Sequence, residues 1–216
     1  GLLGYPLLML LAEQATSRRG AFWVGWLAGF GYFGVGCWWV AEAFLVDPAQ
    51  AWMAPFAASL LPAGIGLFWG AATALYRWSA PSGVGRVLVF ASLFGLFEWV
   101  RGHVLTGFPW NPAGASWAAG SAGSQFASVV GVYGLGLVTV AAVSSFGVLI
   151  GAGRRKARLG VAMGGLAVLA SLVIFGAVRL SGAAAEPSDT VVRIVQADVR
   201  QESKWSPEAY RSIVER

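Results

Sequence analysis

Apolar residues gather into six segments, at about 2–12, 21–40, 51–76, 87–105, 124–150 and 159–178, with polar and charged residues confined to the intervals between them. Every segment but the first reaches the roughly 20 residues a helix needs to cross a bilayer. The pattern predicts a polytopic α-helical membrane protein, with a helix bundle of about six spans over residues 1–180. The pattern then changes. Residues 181–189 are small, polar and proline-containing, which predicts a linker, and Val191-Val192-Arg193-Ile194-Val195-Gln196-Ala197-Asp198-Val199 reads as a β-branched strand. Ser206-Pro207-Glu208 follows as N-cap, first-turn proline and first-turn acid, opening a helix through Ile213 and Val214. Strand, loop and helix are how an α/β domain begins, and residues 190–216 are too few to bury a core of their own. The chain opens at Gly1 without a methionine or basic leader and closes at Arg216 within a helical pattern, so it reads as a piece of a longer protein.

Composition sharpens this picture. The chain is 57% hydrophobic and 12% charged, with mean hydropathy +0.66. Its net charge of +5 and pI near 9.9 do not indicate nucleic acid, because the basic residues sit in short clusters between apolar runs and not along one soluble face. Arg18 and Arg19, then Arg77 and Arg86, then Arg154, Arg155, Lys156 and Arg158 fall in alternate loops, while Glu42 and Asp47 occupy another. Under the positive-inside rule the basic loops are cytoplasmic, and residues 42–50, 102–123 and everything after Val178 are extracytoplasmic. One cysteine allows neither a disulfide framework nor a metal-spaced set, and no cofactor or metal is expected.

The most informative stretch is Leu105-Thr106-Gly107-Phe108-Pro109-Trp110-Asn111-Pro112-Ala113-Gly114, just past Glu98 and Arg101. Ionisable groups and broken backbone at membrane depth survive only against protein or water. Glu98 and Arg101 are three apart on a helix, close enough to pair. They form either an internal ion pair that sets helix packing or a contact to a headgroup or substrate. His103, the only histidine, reads as a polar cap, and Cys37 lacks the neighbouring base or cation that would make its thiol a nucleophile. Trp110 and Trp117 flank a loop that is either an interfacial anchor or the re-entrant wall of a lipid site. The second segment interleaves Gly25, Gly29, Gly31, Gly34 and Gly36 with aromatics, which predicts close helix approach, with an aromatic-lined lipid groove as the other reading. Gln201, Lys204 and Trp205 form a polar, aromatic loop after the strand.

Glu98-Trp99-Val100-Arg101-Gly102 running into Leu105-Thr106-Gly107-Phe108-Pro109-Trp110, followed by Val195-Gln196-Ala197-Asp198, Gln201 and Lys204-Trp205, resembles bacterial apolipoprotein N-acyltransferases. The resemblance implies a helix bundle followed by the beginning of an αββα nitrilase-like domain on the periplasmic side of the bacterial inner membrane. It implies transfer of an acyl chain from a phospholipid donor to the N-terminal amine of a diacylglyceryl-cysteine apolipoprotein, with the lipid bilayer as the working surface. In that family a glutamate base, a lysine and a cysteine nucleophile act through an acyl-thioester, and all three are expected beyond Arg216, so no catalytic residue is expected within this chain. The residues it assigns to substrate or lipid are Trp205 and Lys204 near the active site, Glu98 and Arg101, and the Phe108, Pro109 and Trp110 loop as the membrane wall beneath. A non-catalytic membrane anchor and a lipid-transport domain are the rival readings.

Overall fold

The computed structural model describes residues 1–150 and 154–182, together with 191 and 193. Six α-helices follow the six apolar segments: α1 (Gly4–Gln14), α2 (Arg18–Gly36), α3 (Ala54–Ser79), α4 (Gly85–His103), α5 (Ala127–Ser144) and α6 (Arg155–Ser181). Three stretches, Pro48–Ser79, Ala127–Leu149 and Arg155–Ser181, are long and apolar enough to cross a membrane, and a fourth is added if α2 and the Trp38–Leu45 turn form one broken span. The chain is a multi-pass helical membrane protein. For α1, with 11 residues, and for α4, which carries Arg86, Glu98 and Arg101, the expected traversals rest on loop charge and not on length and hydropathy. No strand occurs among the described residues; the expected strand at 191–199, apart from residues 191 and 193, the helix opening at Pro207, and Lys204 and Trp205 lie outside them.

The helices are less continuous than their apolar patterns. The 21–40 segment stops at Gly36 and turns by 50° into the 3-10 helix Trp38–Leu45. The Asn111 amide lies where a side chain on Gly36 would be, so the α4–α5 connection occupies the space a straight helix would need. The 124–150 segment is interrupted at Gly131 (φ 69°, ψ 175°), a conformation open to glycine and costly for other residues. It ends at Ser144 in the 3-10 turn Ser145–Leu149.

The principal packing unit is the α2–α3 pair. Gly29 on α2 faces Gly66 on α3, and Gly25, one turn earlier, faces the Trp69 carbonyl and Thr73, so the two backbones touch. A Cβ on Gly29 would lie 3.0 Å from the Gly66 Cα, one on Gly66 would lie 3.1 Å from the Phe30 nitrogen, and one on Gly70 would lie 2.8 Å from the Phe22 ring. Thr73 adds a polar clasp, its hydroxyl donating to Ala21 O (2.8 Å). Gly31 and Gly34, by contrast, face open space. Against this pair stands an aromatic column in which Tyr76 meets Phe90, Phe90 meets Phe94, Phe94 meets Trp69, and Trp69 stacks on Tyr32 with ring centroids 4.6–5.3 Å apart. Such pairs contribute beyond the area they bury.

Packing also gathers the basic loops at one end of the bundle. Glu13 accepts from the Tyr76 hydroxyl (2.6 Å) and Arg86 (3.0 Å), Arg77 donates to Ala15 O (2.9 Å), and Arg18 lies over Trp78. Residues 37–45 and 104–126 lie at the opposite end, where Trp39 meets Trp110 edge-on.

Candidate functional site: a charge-anchored loop beside an apolar groove

At the C-terminal end of α4, Glu98 and Arg101 share one helix face and are both buried. Arg101 Nη2 lies 2.9 Å from Glu98 Oε2, and Arg101 Nε lies 3.3 Å from Oε1. Trp69 on α3 donates its indole N–H to the same Oε1 at 3.1 Å. The remaining guanidinium nitrogen, Nη1, donates to the Phe108 and Trp110 carbonyls, the latter at 2.9 Å, and the guanidinium carbon stands 4.8 Å above the Phe33 ring. Of the two readings left open by spacing, the structure displays the internal ion pair. Burying two charges is offset only when geometry and extra hydrogen bonds are good. Here the partners are an indole, two loop carbonyls and a ring face.

Those carbonyls explain the loop. After α4, Leu105 takes a left-handed φ of 61° and Gly107 one of 76°, which reverses the chain so that Phe108 N bonds back to Arg101 O (2.9 Å). A Cβ on Gly107 would collide with Gly102 O, so the turn requires glycine. Asn111, at φ 52°, holds the next corner, where its carbonyl accepts from the Tyr32 hydroxyl (3.2 Å) and its amide points to the Cys37 sulfur (3.6 Å). Phe108 is half-buried, Pro109 is exposed, and Trp110 is exposed apart from its edge contact with Trp39. Trp117 separates from Trp110 in role: its indole donates to buried Thr139 Oγ1 at 2.9 Å, which seats the connection on α5. His103 is a cap, its ring bonded to Trp99 O (2.7 Å) and stacked on Trp99.

Beside the loop opens an apolar groove of about 630 Å³, walled by Leu60, Gly64 and Phe68 of α3, Phe97 of α4, and Leu105 and Phe108 of the loop, with Arg101 buried behind its lining. That size suits a small molecule or a lipid tail. Leu105, 94% exposed, forms its rim. The structure brings Glu98, Arg101, Phe108, Pro109 and Trp110 together and adds Trp69, Tyr32 and the α3 wall, which patterning did not single out for the site. Asn111 before Pro112 carried a turn signal. Nothing in the sequence separates a leucine facing a groove from one facing lipid. Among the described residues no group of His, Cys, Asp and Glu is placed to hold a metal ion.

A multi-pass bundle that carries a buried acid–base pair beneath a folded aromatic loop, and opens an apolar groove at that loop, defines an integral membrane protein. Known sequences give the family. The profile of the apolipoprotein N-acyltransferase N-terminal domain matches residues 1–145. The apolipoprotein N-acyltransferase of Caulobacter vibrioides is 51% identical over 221 residues, covering 100% of this chain and 41% of that protein. That of Rhizobium etli is 43% identical over 229 residues (98% and 42%), and that of Brucella melitensis 37% over 231 (100% and 42%). The chain belongs to the apolipoprotein N-acyltransferase family, and it spans about two-fifths of the length of these relatives.

Proposed function

We propose that this chain is the membrane portion of an enzyme that moves an acyl chain from a phospholipid to the N-terminal amine of a diacylglyceryl-cysteine apolipoprotein. The observation that carries this reading is the groove between α3 and the Leu105–Phe108 rim, apolar along its walls and edged by the loop that Arg101 anchors. In this reading the groove takes the hydrocarbon of a substrate, and Glu98 and Arg101 hold the loop that forms its edge. Phe108, Pro109 and Trp110 form the wall beneath the reacting groups, and the family resemblance assigns Lys204 and Trp205 to the neighbourhood of the active site. The chemistry itself belongs to a nitrilase-like domain beginning near residue 190. There a glutamate base frees a cysteine thiolate, which attacks the ester carbonyl and expels a lysophospholipid. The incoming amine then attacks the thioester and expels the thiolate, while a lysine stabilises each tetrahedral oxyanion. Cys37 is not that nucleophile, since it is buried in the bundle beside the Asn111 amide. The basic loops are cytoplasmic and the groove end is periplasmic, in the bacterial inner membrane.

The test is Gly64→Phe in the full-length parent protein. Gly64 lines the groove and a Cβ there meets nothing within 4 Å, so a phenyl ring has room to enter the groove from an unstrained attachment point. Acyl transfer to a diacylglyceryl peptide is expected to fall at least tenfold with the melting temperature unchanged. Full activity in that variant would remove the groove from the mechanism.

A further inference from the structure

We propose that a second pocket, at the opposite end of the bundle, binds the phosphate of an anionic glycerophospholipid. It lies between the start of α4, the Ser145–Leu149 turn and the start of α6, has a volume of about 220 Å³, and is lined by Arg86, Arg154 and Arg158 with Val84, Val148 and Val161. Three arginines, one near the start of α4, one at the N-cap of α6 and one in the first turn of α6, thus line one cavity. Planar guanidinium forks match phosphate oxygens better than point charges do. Arg158 is held at the wall by its bond to Leu149 O (2.9 Å), and Arg86 by Glu13 at 3.0 Å, so two of the three arrive positioned. The surrounding loops and helix starts add Arg18, Arg19, Arg77, Arg155 and Lys156, against Glu13 as the one acid among the described residues there.

The apolar half of the lining chooses a lipid over a free anion. Val84 in the lining is 57% exposed, and Leu149 and Ile150, which follow Val148 of the lining, are 41% and 78% exposed, where acyl chains would cover them. Basic pockets between helices at a cytoplasmic surface are suited to anionic headgroups. From Arg86 to Arg101 the rise of α4 is about 22 Å at 1.5 Å per residue, so this pocket is remote from the groove and independent of the acyl-transfer reading.

The test is native mass spectrometry of the purified chain with phosphatidylglycerol or phosphatidylcholine. Phosphatidylglycerol is expected to bind preferentially, and Arg154→Gln with Arg158→Gln to weaken it tenfold or more, at about fivefold per arginine. Arg155→Gln with Lys156→Gln removes the same charge from the same helix start but not from the pocket lining, and is expected to change affinity less than twofold. Should the double pocket variant misfold, Arg154→Gln alone keeps the test, with a fivefold loss expected. Equal effects from the two pairs, or equal binding of both lipids, would overturn the proposal. Millimolar inorganic phosphate that displaces the lipid headgroup and binds as well without lipid would reassign the pocket to a free anion.

Discussion

Trp69 on α3 donates its indole N–H to Glu98 on α4, 3.1 Å away, and Glu98 in turn holds Arg101 under the loop that edges the groove. One hydrogen bond between helices therefore connects the aromatic core to the position of Phe108 and Trp110. Trp69→Phe keeps the ring packing and removes the donor. We expect it to lower stability by about 1–2 kcal/mol, the usual range for a buried acceptor that loses a partner, as measured by thermal unfolding in nanodiscs.

Breaking the ion pair from one side costs more. Glu98→Ala leaves the Arg101 guanidinium buried without its carboxylate, an expected loss of about 3–5 kcal/mol. Glu98→Leu combined with Arg101→Met removes both charges and is expected to recover much of that. The recovery is confined to the bundle, because the Phe108 and Trp110 carbonyls lose their donor. Hydrogen exchange across residues 104–112 should then rise while exchange in α2 and α3 stays protected.

Gly107 tests the loop by itself. Gly107→Ala places a Cβ against Gly102 O at a φ of 76°. The expected cost is about 1–3 kcal/mol of local strain. In the full-length protein the acyl-transfer rate is expected to fall more than the melting temperature does.

Leu105 separates rim from core. It is 94% exposed, so Leu105→Asp is expected to change stability by no more than about 0.5 kcal/mol. Lipid entry to the groove should nevertheless weaken, read as reduced labelling by a photoactivatable phospholipid. Equal labelling would mean that the rim does not contact the donor chain.

Sidedness is testable by thiol labelling in a Cys37→Ala background. Thr106→Cys and Ser181→Cys are expected to react with a membrane-impermeant reagent from the periplasm, and Ser82→Cys only after the cytoplasmic face is opened. The reverse pattern would invert the orientation drawn from the arginine clusters.

Much of this protein is legible without coordinates. The six helices follow from apolar runs that need a non-aqueous surrounding, and the glycines at 25 and 29 announced a close helix neighbour because only small side chains allow backbone contact. Glu98 and Arg101, three residues apart, were bound to share a face. The resemblance in the Glu98–Trp110 stretch led to the same family as the comparisons did. In each case the controlling physics is local: the period of a helix, the size of a side chain, the cost of a charge in hydrocarbon.

Tertiary structure alone decided which α3 residues meet that stretch. The choice of Gly66 as the partner of Gly29 and of Trp69 and Thr73 as those of Gly25, the indole of Trp69 as the second donor to Glu98, the bend at Cys37 beneath Asn111, and the leucines that wall a groove instead of facing lipid all depend on how helices distant in sequence are set against each other. A helix in hydrocarbon has no polar face to declare which side is inward, so its hydropathy pattern says that it is buried in something without saying in what. The three arginines that line one pocket were visible only as scattered topology signals until packing brought the starts of α4 and α6 to one place.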